Sequence, residues 1–190
     1  MNLLFDFEEG ILPDIEGLSY LPEFISRDEE RVLFEKIDKQ PWLADLKRRV
    51  QHYGYKYDYK ARNIDKSQYL GTLPEWLLSV TGKLEQAPDQ AIVNEYLPGQ
   101  GISAHIDCVP CFGDCIASLS LGSGTFMVFA NGEQKQQLYL EPRSLLILSA
   151  EARYKWTHAI PARKSDVVEG VRVERGRRVS ITFRTVIPND

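Results

Sequence analysis

The sequence lacks any apolar run near the roughly 20 residues needed to cross a bilayer, so no membrane-spanning helix is expected. Histidine is scarce, with three in 190 residues, and cysteine is equally scarce and odd in number, at three. Residues 1–10 carry acidic rather than basic side chains and no signal-peptide core. Together these absences predict a reducing compartment: the cytoplasm, or the nucleus of a eukaryote. A surplus of positive charge is also missing. Lysine and arginine total 23 against 27 acidic residues, a formal net charge of -4. That excludes a molecule basic all over but not a local basic patch. Repeats and low-complexity segments are absent. What remains is an ordinary globular composition, 43% hydrophobic and 26% charged, in a length suited to one domain over 1–190. A monomer is expected.

The chemistry concentrates in residues 94–107. Asn94-Glu95-Tyr96 reads as a strand, Pro98-Gly99 as a turn, and the following run as a second strand ending in His105-x-Asp107. Side chains alternate along a strand, so His105 and Asp107 face one space, and Asn94 and Tyr96 share a face. One imidazole and one carboxylate are two thirds of the facial triad that holds non-haem Fe(II) and leaves positions open for substrate and oxygen. His158, in Tyr154-Lys155-Trp156-Thr157-His158, offers the third donor, and on a strand Tyr154 and Trp156 share its inward face. His52 has no carboxylate at ligand spacing and is set aside. A His-x-Asp pair alone is a weak signal, because such pairs arise often by chance.

Residues 1–19 mix apolar and acidic side chains without a period and predict an arm packed on the domain. Ser26 and Glu29 form a capping box, Leu33, Phe34 and Ile37 a helical stripe, and Pro41 a stop. In residues 47–62, Lys47, Arg48, Arg49, Lys56, Lys60 and Arg62 stand against Asp58 alone, and Tyr53, Tyr55, Tyr57 and Tyr59 alternate between them. This predicts a strand with one aromatic face. It reads either as a stacking platform for unpaired bases, worth roughly 1–3 kcal/mol per base, or as an amphipathic strand with half-buried tyrosines. Leu73, Trp76, Leu77, Val80 and Leu84 predict a second helix, with Pro74 in its first turn and Pro88 closing it. From residue 90 the pattern turns to short strands: 90–97, 101–107, 115–121, 125–130, 136–140, 144–149, 153–160 and 177–187. Residues 161–176 read as an exposed loop. The sum is an α+β chain, mostly β: a jelly roll with helices packed on one side.

The last strand alternates cleanly. Arg178, Ser180, Thr182 and Arg184 face one way; Val179, Ile181 and Phe183 face the other. Buried arginines need anionic partners. These two lie about 20 Å apart along a strand, so they serve either the two ends of a dicarboxylate at the metal or separate structural ion pairs. Cys108, Cys111 and Cys115 follow the His-x-Asp at once, with no fourth zinc ligand nearby. They read first as loop or packing cysteines, then as a redox-sensitive cluster beside the metal, and last as a structural metal site.

Asn94-x-Tyr96, Pro98-Gly99, His105-x-Asp107, His158 and the Arg178/Arg184 frame together resemble the AlkB family of Fe(II)/2-oxoglutarate dioxygenases. Residues 97–102, 118–123, 142–146 and 151–154 look most like eukaryotic homologues, including the branch that hydroxylates the tRNA wobble uridine. The resemblance implies a double-stranded β-helix core over 90–187, preceded over 1–89 by helices and a nucleotide-recognition lid. It implies that His105, Asp107 and His158 bind Fe(II) and that Asn94, Tyr96, Arg178, Ser180 and Arg184 bind 2-oxoglutarate, with Arg178 on the distal carboxylate. Ser180 departs from the asparagine found in many members. Arg177 could shift the frame by one, but the strand period favours Arg178. Tyr53, Tyr55 and Arg48 are the implied substrate contacts. The implied reaction uses O2 to dealkylate nucleobases in DNA or RNA. Hydroxylation of a modified tRNA base, a protein side chain or a small metabolite is the alternative, and a binding module without turnover a third.

Overall fold

In the computed structural model, which describes residues 12–44, 46–59 and 61–187, the chain first forms strand β1 (Leu18–Leu21) and then helix α1 (Arg27–Asp38). Of the arm expected over 1–19, residues 1–11 lie outside the described residues, as does Lys60. Both legs of the capping box form: the Glu29 amide donates to Ser26 Oγ, and the Ser26 amide to Glu29 Oε2. Leu33 and Ile37 of α1 are buried, each stabilising the fold by about 1.5–3 kcal/mol.

Strand β2 (Val50–Tyr53) ends at Gly54. Gly54 has φ +76, and a Cβ there would fall 1.8 Å from the Asp89 carbonyl oxygen, so only glycine fits. This turn corrects the expectation of one continuous tyrosine strand: Tyr55, Tyr57 and Tyr59 lie in the loop beyond it. Helix α2 (Glu75–Thr81) is shorter than the apolar stripe predicted, with Pro74 at its N-cap and Leu84 past its end.

Ten strands follow among the described residues, the first nine being β3 (Gln90–Tyr96), β4 (Ile102–His105), β5 (Phe112–Gly122), β6 (Thr125–Asn131), β7 (Gln134–Leu140), β8 (Leu145–Leu148), β9 (Thr157–Ile160), and then β10 (Ser165–Val168) with β11 (Val171–Glu174) as a hairpin. Strand β12 (Arg178–Val186) ends the series, and helix α3 (Ala150–Tyr154) stands between β8 and β9. Two expectations change here. The predicted strand over 153–160 is the end of α3 followed by β9, so Tyr154 is exposed rather than inward while Trp156 is buried. The predicted loop over 161–176 contains the β10–β11 hairpin, which Arg175 fastens by a bidentate pair with Asp166 at 2.6 and 2.8 Å.

The strands form a six-stranded sheet in the order β1-β8-β5-β12-β3-β2 and a four-stranded sheet in the order β4-β9-β6-β7. Every pairing in them is antiparallel. One core lies between the sheets, with Tyr96, Phe112 and Leu146 against Met127, Phe129 and Leu140. A second lies outside the larger sheet, where Val179, Ile181 and Phe183 meet α1 and α2. This is the expected double-stranded β-helix with helices on one sheet. Among the described residues no helix is long and apolar enough to cross a membrane.

Candidate active site

Strands β4 and β9 pair so that His105 stands opposite His158, with ring centroids 4.4 Å apart. Asp107 lies past the end of β4, yet its carboxylate turns to the same point. Its Oδ1 is 3.5 Å from His105 Nε2 and 3.8 Å from His158 Nε2. One donor atom from each of the three residues lies within 4.8 Å of the others.

The protonation states suit metal binding. His105 Nδ1 is 2.8 Å from the Ser103 carbonyl oxygen. A carbonyl only accepts, so Nδ1 donates to it and Nε2 is the ring nitrogen turned toward Asp107. Burial lowers the His158 pKa to about 4, which leaves that imidazole neutral at pH 7. Burial of Asp107 opposes its ionisation, but the charge of Arg184 outweighs it and the carboxyl is held well below the usual range. Arg184 Nε donates to Oδ2 at 2.8 Å, leaving Oδ1 toward the imidazoles. Two imidazole nitrogens and one carboxylate oxygen are a fitting donor set for Fe(II).

A cavity of about 540 Å³ opens over these groups. The β12–β3 register sets Arg178 opposite Tyr96 and Ser180 opposite Asn94, so four of the expected cosubstrate residues share one wall. The Arg178 side chain is buried; Nη2 donates to Ser120 Oγ at 2.9 Å, while Nε and Nη1 have no partner. Burial pulls its pKa down to about 10, so it remains a cation at pH 7. A buried guanidinium with idle donors is costly, and a carboxylate would satisfy them with paired hydrogen bonds. The cavity thus fits an anionic dicarboxylate beside a metal. Arg177 does not compete for this role, because it bonds Asp38 and Glu95 on the helix side of the sheet.

A model of the 2OG-Fe(II) oxygenase superfamily matches residues 17–184. A protein of Acanthamoeba polyphaga mimivirus is 37% identical, with 92% of this chain and 87% of that protein covered. The "Alkylated DNA repair protein ALKBH8 homolog" of Arabidopsis thaliana is 40% identical, over 91% of this chain and 59% of that protein. The chain belongs to the AlkB family of 2OG-Fe(II) oxygenases. A further AlkB homologue, the mouse "tRNA (carboxymethyluridine(34)-5-O)-methyltransferase ALKBH8", is 39% identical over 90% of this chain but only 30% of that protein. The solved structure of OsALKBH1 shares the AlkB fold, with a TM-score of 0.66, coverage of 89% and 96%, and 17% identity. As an AlkB dioxygenase the protein uses Fe(II), 2-oxoglutarate and O2.

The substrate contacts expected of an AlkB domain divide. Arg48 lines the cavity, but its Nε donates to Asn94 Oδ1 at 2.9 Å and its guanidinium lies 5.6 Å from the Tyr96 ring centre, on the cosubstrate wall. Tyr53 faces the other side of the sheet: it meets Trp76 edge-on at 5.4 Å and donates to Gln51 Oε1, and burial raises its pKa to about 12. Tyr55 packs on Tyr69 at 5.0 Å. Neither lines the cavity. Tyr57, Tyr59 and Arg62 do, the two rings edge-to-face at 5.0 Å. The aromatic wall therefore falls four residues later than expected, because Gly54 resets the alternation. Ser120 was missed as well, although the period of Ser118-Leu119-Ser120-Leu121 marks it as inward.

Cys108 and Cys111 lie between β4 and β5 and are buried in the core, as expected of loop or packing cysteines. They are in addition joined as a disulfide, with Cα atoms 5.3 Å apart. Cys115 is a free thiol whose pKa burial pushes up.

Proposed function

We propose that residues 1–190 form one AlkB-type dioxygenase unit that removes alkyl groups oxidatively from nucleobases in DNA or RNA and acts as a monomer. Residues 1–89 add helices and a recognition wall to a core over 90–187. In this reading His105, Asp107 and His158 hold Fe(II). Asn94, Tyr96, Arg178, Ser180 and Arg184 surround 2-oxoglutarate, with Arg178 on its distal carboxylate. The observation that carries the reading is the buried Arg178 with two idle donors, in one cavity with the His105, Asp107 and His158 donor set.

When bound, Fe(II) and 2-oxoglutarate supply the oxidation: one atom of O2 enters succinate as CO2 leaves, and the other enters a substrate C–H bond. On an N-methyl group the hydroxylated carbon then separates from nitrogen as formaldehyde, and the nitrogen regains a proton. The protein's own part is placement. Tyr57 and Tyr59 offer ring faces to a base, and Arg62 and Lys47 line the same cavity as phosphate contacts. A base in a duplex must be flipped out to reach it.

The Arabidopsis relative, named for repair of alkylated DNA, supports dealkylation. The mouse relative is named for a tRNA uridine, which favours a tRNA base as the substrate; hydroxylation of a modified tRNA base with the same cofactors is the second reading. A coupled assay separates the two. Iron-loaded protein is given 2-oxoglutarate and methylated DNA, RNA and tRNA substrates, and succinate and base mass are followed together. Loss of a methyl mass supports the first reading and gain of one oxygen the second. Succinate with no base change would remove nucleic acid as the substrate.

A further inference from the structure

Arg153 is a buried cation that the reaction described above does not use. Its partners are unusual. Among the described residues no carboxylate pairs with it. Its donors go instead to four main-chain carbonyls of one segment. Nη1 donates to Asp107 O at 2.9 Å, Nη2 to Cys108 O at 3.2 Å and Phe112 O at 3.3 Å, and Nε to Gly113 O at 3.2 Å. That segment begins at Asp107 and has no regular structure until β5. Arg153 itself stands in the last turn of α3, which leads through Trp156 into β9 and His158.

We infer that Arg153 is a positioning residue for the metal centre, fixing the main chain at Asp107 to the α3–β9 segment that carries His158. The inference rests on the reading of His105, Asp107 and His158 as the metal site. Asp107 stands past the last residue of β4, so no sheet hydrogen bond of that strand sets its φ and ψ. Arg184 fixes only the carboxylate end, through Oδ2. The other end of the residue, its carbonyl, is held by Arg153. A guanidinium is suited to this because it is planar and rigid and its donors diverge; the lysine ammonium puts three donors on one atom and cannot span residues 107 to 113. Charge also has a use there. Four carbonyl oxygens converge on this point, and a cation lets them point together beneath the loop instead of repelling it outward. A carbonyl held in this way aims the side chain of its own residue, as outer hydrogen bonds aim the ligands of metal sites generally.

The test uses the full chain and Co(II) as the probe, without 2-oxoglutarate. Binding is followed by the visible absorption of Co(II), and folding by circular dichroism and melting temperature. Arg153→Lys is compared with Leu33→Ala, which opens a cavity in α1 on the far side of the larger sheet. Arg153→Lys is expected to weaken Co(II) binding about 10- to 100-fold and to shift the absorption bands, while Leu33→Ala lowers the melting temperature and leaves both unchanged. Wild-type Co(II) affinity and spectrum in a folded Arg153→Lys protein would overturn the inference, and so would an equal loss in Leu33→Ala. If Arg153→Lys does not fold, Arg153→Met takes its place with the same expectation. Failure of both to fold would assign Arg153 to the core alone and overturn the positioning role. A wild-type chain that takes up no Co(II) would overturn the metal-site reading itself, which separates that failure from the failure of Arg153.

Discussion

On the helix side of β12, Val179, Ile181 and Phe183 are fully buried against α1 and α2, and the charges nearby are matched. Glu95 is gripped by Arg49 at 2.6 and 2.8 Å and by Arg177 at 2.7 Å, and Arg177 also holds Asp38. On the cavity side the same strand presents Arg178 with idle donors, and ligand atoms of Asp107, His105 and His158 converge within 4.8 Å of one another. The two faces differ in what they leave incomplete. Close packing and paired charge stabilise the fold. Unsatisfied polar groups at fixed positions cost stability, and a structure keeps them where a ligand completes them. Arg177 and Arg178 show the difference at adjacent residues: one is a structural clamp, the other an open receptor.

The comparison breaks most sharply at the metal site. Asp107→Ala is expected to reduce iron content and succinate formation by more than about 100-fold, with the circular dichroism of the folded chain retained. Retained iron would remove Asp107 from the donor set. On the other face, Phe183→Ala is expected to cost about 3–5 kcal/mol in urea unfolding with the KM for 2-oxoglutarate unchanged. A raised KM would show that the two faces are coupled and not separable. Arg178→Met sharpens the contrast. Cosubstrate binding should weaken by about 2–5 kcal/mol, yet stability without ligand should hold or rise, because a buried unpaired charge is gone. A fall in stability there would mean that the cavity face is as fully satisfied as the helix face.

Smaller effects test the edges. Tyr57→Ala is expected to weaken single-stranded oligonucleotide binding by about 1–3 kcal/mol, whereas Tyr53→Phe leaves it unchanged; the reverse order would return the recognition wall to β2. Acid should act on the helix face through Glu95. Hydrogen bonds from Arg49 lower its pKa against the opposing effect of burial, and Arg177 adds to the lowering. A carboxyl whose folded pKa is depressed contributes stability above its unfolded pKa of 4.5 and loses it as pH falls through the folded value. Melting curves of the wild type and Glu95→Gln should therefore differ by about 1 kcal/mol near neutrality and converge as pH falls below 4.5 through the depressed folded value. A constant gap across that range would assign the loss to packing.

Much of this could be read from local pattern. The capping box of α1, the Pro98-Gly99 turn and the alternation of β12 are short-range features, and each forms as the sequence implies. Gly99 has φ +89, and the Gln100 amide closes the turn on the Leu97 carbonyl at 2.9 Å. The opposition of Arg178 and Ser180 to Tyr96 and Asn94 follows from the period of two once the strands are identified, and β4–β9 pairing sets His105 opposite His158, whereas Asp107 lies beyond β4 and reaches them from the following loop. The misreadings share a different cause. The tyrosine run has the right period for a strand, but the close approach of Asp89 to Gly54 forces a turn there, and nothing within residues 53–59 reports a neighbour 35 residues away. The β10–β11 hairpin leaves Val167, Val171 and Val173 exposed, so it lacks the buried face that marks a strand. The Arg175–Asp166 pair fastens it across nine residues, a spacing that no strand or helix period marks.

The sequence by itself determined the alternating faces, the turns, the caps and the residue types able to bind a metal and a dicarboxylate, because these depend on backbone geometry within a few residues. Only the tertiary structure decided which tyrosines reach the cavity, that Cys108 joins Cys111, and that Arg153 spends its charge on four carbonyls near Asp107. Those outcomes depend on which distant groups fill the same space, and burial makes each unsatisfied donor or acceptor costly enough to select one arrangement.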